Sequence, residues 1–157
     1  LKPFSINRTY STGRGGGFFK TNAADEWCAE VFHQLNSETH QYQFELIRSV
    51  FDPKRHGLSF SITACYPIAD FYRKAGGISS KTQDVSNFEK ILIDCMCLPK
   101  FNETPVPYGC KNLNVDDKYI IDMHSAKRPT NGTPWISVFV SIVDLPSLDG
   151  DGPGALV

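Results

Sequence analysis

The chain has 157 residues, is 41% hydrophobic and 21% charged, and carries a formal net charge of -1. These values match ordinary globular domains, which excludes wholesale disorder and fibrous repeats, and the length suits one core burying about two-thirds of the unfolded surface. No apolar run approaches the ~20 residues of a membrane-spanning helix and Leu1-Lys2-Pro3 opens no signal-peptide hydrophobic region, so a cytoplasmic protein without a membrane partner is expected.

In chain order, a short apolar segment from Phe4 to Ile6 precedes a glycine-rich loop, Thr12 to Gly17, that lacks P-loop or dinucleotide spacing. From Asn22, read as the N-cap, Trp27, Val31, Phe32 and Leu35 recur at helical spacing and predict a first helix. Tyr42, Phe44 and Leu46 alternate with polar residues, Asp52 to Gly57 reads as a turn, and Leu58, Phe60, Ile62, Ala64 and Tyr66 alternate again, which predicts an antiparallel hairpin.

A second helix is expected from about Asn87 to Leu98, where Phe88, Ile91, Leu92, Cys95 and Met96 form one apolar stripe, and a proline-rich stretch follows to Asn112. Strands over Tyr119–Met123 and Trp135–Val143 close the fold, joined through the turn signal Asn131-Gly132. The expectation is an α+β fold: a mixed, mostly antiparallel sheet of about four to five strands with two helices on it. Residues 1–145 form the domain and 146–157 a flexible tail.

Five cysteines, an odd number without C-x-x-C pairs, and four scattered histidines give no zinc spacing, so the thiols are read as reduced packing residues. The net charge leaves no basic footprint for nucleic acid, although Arg8, Arg14 and Lys20 occur without an intervening acid and Arg73, Lys74 and Lys81 precede Asp84.

The polar side of the second helix carries the chemistry. At about 100° per residue, Asn87, Lys90 and Asp94 share a sector opposite the apolar stripe, with Asp84 just ahead of the helix and the paired acids Asp116 and Asp117 downstream. Taken alone this is an ordinary solvated face with a Lys90–Asp94 pair, and Ser86 to Glu89 is a capping box.

The segments D-V-S-N-F-E-K-I-L-I-D and N-V-D-D-K-Y-I-I-D-M-H-S-A-K-R-P, with the opening P-F-S-I-N-R-T-Y, resemble the RusA family of Holliday-junction resolvases. The resemblance implies a homodimeric endodeoxyribonuclease that uses Mg²⁺ or Mn²⁺ to place paired nicks in branched DNA such as four-way junctions. It implies Asp84 and Asp117 as metal carboxylates, Lys90 as the catalytic lysine, and Asn87 and Asp94 in support. Ser86 stands where the family pattern has a second aspartate, and Asp116 is the residue that could restore that charge. Arg8, Arg14, Lys20, Arg73, Lys74 and Lys127 are the candidates for DNA-backbone contacts. The alternatives are a non-catalytic junction-binding or phage regulatory protein on the same fold, and an unrelated α+β interaction module.

Overall fold

The computed structural model describes residues 2–3, 10–12, 18–79, 82, 89–97 and 112–146. The described residues form an α+β arrangement. A two-stranded antiparallel ribbon, β1 (Tyr10–Thr12) and β2 (Phe18–Lys20), precedes helices α1 (Asn22–Leu35) and α2 (Glu38–Val50). Strand β3 (His56–Pro67), the short helix α3 (Ile68–Phe71) and helix α4 (Glu89–Met96) follow. A 3-10 turn, Asp117–Tyr119, leads into β4 (Ile120–Thr130), and β5 (Trp135–Asp144) comes last.

The first helix lies where its periodicity puts it, but its cap is Thr21 rather than Asn22. The Thr21 hydroxyl accepts from the Ala24 amide at 3.2 Å, and Asn22 is already helical. Trp27, Cys28, Val31 and Phe32 are its buried face, and the Trp27 indole donates to the Lys2 carbonyl.

The segment read as the first strand of a hairpin is the helix α2. Tyr42 and Leu46 are 67% and 50% exposed while Phe44 is buried, so their period-two alternation marks no common face. The working stripe is Phe44, Ile47 and Phe51, at i, i+3 and i+7. Ser37 starts this helix by accepting from the His40 amide, and Glu38 and Arg48 sit at the ends that suit their charges.

The main sheet has three strands in the order β4-β3-β5 among the described residues, fewer than the four to five expected, with one parallel and one antiparallel pair. β4 and β5 do not pair with each other. The Asn131-Gly132 segment carries the chain across the end of β3, where Cys65 faces Trp135 and Pro67 faces Thr130. The composition explains the order: β3 holds no charge from Gly57 to Pro67 and can be paired on both sides, whereas Pro129 of β4 lacks an amide hydrogen and suits an edge.

Leu58, Phe60, Ile62, Ala64 and Tyr66 of β3 are fully or almost fully buried. They pack with α1, α4 and the partly buried Ile136, Val138, Val140 and Ile142 of β5. Each large side chain buried there contributes about 1.5–3 kcal/mol. The opposite face of β3 carries Ser59, Ser61 and Thr63, all half-buried.

The second helix appears as α4, with Ile91, Leu92, Ile93, Cys95 and Met96 buried. Asp84, Ser86, Asn87, Phe88 and Leu98, the proline-rich stretch as far as residue 111 and the tail 147–157 lie outside the described residues.

Candidate active site

The end of α4 and a segment starting 15 residues after Cys97 are clipped together around Asn112. The Asn112 amide group donates to the Cys97 carbonyl at the end of α4, and its oxygen accepts from the Asn114 amide at 2.9 Å. The Leu113 amide donates to the Met96 carbonyl at 2.8 Å, and Arg48 of α2 donates to the Asn112 carbonyl. Leu113 and Val115 are buried beneath this clip, and Asn114 adopts a left-handed conformation with φ of 55° that turns the chain between them. The acids that follow are thereby delivered beside α4.

A cavity of about 410 Å³ opens between α4 and the first residues of β4. Its lining includes Lys90, Asp94, Asp117 and Asp122, with Ile93 and Met123 among the apolar walls. The structure thus brings together three of the residues singled out in the sequence, Lys90 and Asp94 from the helix and Asp117 from the 3-10 turn.

The Lys90 ammonium lies 3.7 Å from the Asp94 carboxylate, the i, i+4 pair expected on a helix. With Lys90 half-exposed the pair contributes only about 0.3–0.5 kcal/mol to stability. Asp116 is not among the cavity-lining residues. It caps the turn, accepting from the Lys118 amide at 2.9 Å, and its second oxygen lies 3.7 Å from the Lys118 ammonium.

The carboxylates leave a mark on a neighbour. Cys97, fully buried, has its thiol pushed up to about 12, first by burial and then by the negative charges of Asp117, Asp94 and Asp116. Three acids from two segments therefore act on one buried atom, and the thiol stays protonated at neutral pH.

Asp122 also lines the cavity, although no sequence motif marks it. Its Oδ2 accepts from the Ser59 hydroxyl at 2.8 Å, which ties β4 to β3 at the cavity. The available signal was an acid interrupting the apolar run Ile120-Ile121-Met123, and only the register of β3 against β4 gives it meaning. Ile121 is the extra residue of a bulge, since Leu58 faces Ile120 while Ser59 faces Asp122. Its side chain sits over Gly57, where a Cβ would come within 2.7 Å of it.

The described basic candidates are not among the residues that line the cavity. Arg73 and Lys74 are exposed on a turn closed by the Arg73 amide donating to the Gly77 carbonyl, with Gly76 and Gly77 at φ of 89° and 78°. Lys127 of β4 reaches the Thr82 hydroxyl at 3.4 Å. It is five residues past Asp122, about 17 Å along the strand. Lys20 ends β2, and Arg8 and Arg14 lie outside the described residues.

The donor atoms at the cavity are carboxylate oxygens, which fit the preference of Mg²⁺ and Mn²⁺ for hard ligands. Among the described residues no three His, Cys, Asp or Glu side chains form a group that could hold a metal ion. No family model matches the chain, and no curated protein and no solved structure matches it.

Proposed function

We propose that the chain is a Mg²⁺-dependent endodeoxyribonuclease, also served by Mn²⁺, that resolves four-way junctions or other branched DNA by paired nicks. It acts as a cytoplasmic homodimer, as the RusA-like motif implies. The observation that carries this reading is the shared cavity of Lys90, Asp94 and Asp117, a cation and two acids drawn from the two segments of that motif.

Asp117 is the cavity-lining carboxylate assigned to the metal, and Asp84, outside the described residues, is the partner the motif supplies. When bound, the divalent cation lowers the pKa of a water and neutralises charge on the phosphoryl oxygens. The chain's own residues do the rest. Lys90 offers a positive charge to the non-bridging oxygens as they gain negative charge, and Asp94 fixes the direction of that ammonium. Asp122, held by Ser59, ties the start of β4 to β3 beside the cavity. Arg73, Lys74 and Lys127, with Arg8, Arg14 and Lys20, are assigned to the DNA backbone, where a charge neutralises phosphate without reading sequence.

A labelled four-way junction with Mg²⁺ tests the reading, with Asp117→Asn and Lys90→Ala run beside the unmutated chain. Symmetric nicks by the unmutated chain, lost in both variants, are expected. Junction binding without cleavage by the unmutated chain supports the second reading, a non-catalytic junction-binding or regulatory protein. That reading is favoured by Ser86 in place of an aspartate. No preference for a junction over linear duplex removes both.

A further inference from the structure

The strand β5 has a sequence property that neither its fold nor the cavity uses. Residues 136–142 read Ile-Ser-Val-Phe-Val-Ser-Ile, the same in both directions about Phe139. β5 pairs with β3 on one side only, and among the described residues its other edge pairs with no strand. Such an edge presents a row of unpaired amide and carbonyl groups. Natural edges are commonly blunted with charge, proline or a bulge. This one has no charged residue and no proline from Trp135 to Val143, and its pairing with β3 shows no register shift.

We infer that β5 is a self-association edge, pairing antiparallel with β5 of a second copy about a two-fold axis through Phe139, so that two three-stranded sheets become one of six. In an antiparallel pair related by a two-fold axis, residue i faces j and j faces i. With the axis at Phe139, Phe139 faces its own copy, Val138 faces Val140, Ser137 faces Ser141 and Ile136 faces Ile142. Aromatic, β-branched and hydroxyl pairs of this kind stabilise a sheet, and no like charges are opposed. One step further out Asp144 meets Pro134, so the first acid of the strand also avoids its own copy.

Two observations independent of the palindrome point to the same edge. Phe139 and Trp135 are 68% and 45% exposed, and Phe139, which also borders the groove beside α2, is the most exposed large apolar side chain among the described residues. Pairing places Phe139 against Phe139 and Trp135 against Val143, which covers both. On the inner face an apolar groove of about 360 Å³ runs between α2 and β5, with Phe44, Ile47, Val138 and Val140 in its lining. A two-fold axis perpendicular to the sheet keeps inner residues inner, so the second copy's Ile136, Val138, Val140 and Ile142 arrive beside that groove. The occupant is a second copy of this chain, because only an identical strand repeats the palindrome.

The inference deepens the proposed homodimer by naming the edge through which it forms, and it can fail separately from the nuclease reading, since the association assay contains neither DNA nor metal. Sedimentation of the full chain is expected to show a dimer. Phe139→Lys and Phe139→Glu, each alone, place like charges on the axis and are expected to sediment as monomers with unchanged far-UV circular dichroism. Mixing the two variants is expected to restore a dimer, because lysine then faces glutamate. A monomeric unmutated chain overturns the proposal, and so does a dimer that survives in both single variants. Should either variant fail to fold, hydrogen exchange of the unmutated chain decides. Protection of amides 136–142 that falls on dilution supports the edge, and protection independent of concentration overturns it.

Discussion

Along β4 the sheet edge carries Asp122, His124, Lys127 and Arg128, a bulge at Ile121, and Pro129. Along β5 it carries no charge from Trp135 to Val143 and a regular ladder. Both strands flank the same apolar β3, so the contrast does not come from the core they share. Charge, proline and a bulge stop another strand from adding to β4. An edge kept open in this way can be spent on chemistry, and the acidic cavity lies there, between β4 and α4. The β5 edge has nothing to repel a strand, and its residues match their own reversal.

The largest effect that tests the contrast is catalytic. Lys90 lines the cavity whereas Lys118 is engaged with Asp116 and lies over the Tyr119 ring, 5.1 Å from its centroid. Lys90→Ala is expected to lower junction cleavage by roughly 10²–10³-fold, the scale of losing one transition-state charge contact. Lys118→Ala is expected to stay within about threefold, as suits a half-exposed surface pair. Single-turnover rates measure both, and equal losses would remove the distinction between the two lysines.

A smaller effect concerns the bulge. Gly57→Ala brings a Cβ within 2.7 to 2.9 Å of Ile121 side-chain atoms, so Ile121 must move. A destabilisation of about 1–3 kcal/mol is expected from that overlap, measured by urea unfolding. Adding Ile121→Ala is expected to recover most of it. No recovery in the double variant would mean that the bulge is not set by this contact.

A smaller effect again follows from Cys97. Its folded pKa is raised to about 12 from an ordinary value of 9.0, so between those limits the unfolded chain has lost a proton that the folded chain keeps. This contribution is fully present below pH 9 and is lost as pH rises toward 12, with a slope of up to about 1.4 kcal/mol per pH unit. Cys97→Ala is expected to remove that part of the alkaline slope and Asp117→Asn to reduce it. Denaturant titrations across this range compare the three chains, and identical slopes would mean that Asp117 does not face the thiol.

Much of this arrangement could be read from the residues, and the failures have physical causes. The first helix, the α4 stripe and β5 each bury one face, so their apolar residues recur at the period of the backbone. The α2 segment misleads because Tyr42 and Leu46 are apolar yet exposed, which imitates a strand, while its cap Ser37 is a signal that the alternation obscured. The Asn131-Gly132 turn misleads because a turn signal fixes where the chain reverses and not which strand lies between the two arms. For the site, Lys90 and Asp94 are legible from helical spacing alone. Their meeting with Asp117 depends on the Asn112 clip, and Asp122 on the register of β4, neither of which has a local pattern.

The most direct test of the acidic cavity is Mn²⁺ added at substoichiometric amounts to isotope-labelled protein, with amide line broadening followed by NMR. Broadening is expected to centre on Lys90, Asp94, Asp117 and Asp122 and to disappear in Asp117→Asn. Broadening scattered over surface acids such as Glu30, Glu38 and Asp144, and unchanged by Asp117→Asn, would contradict it.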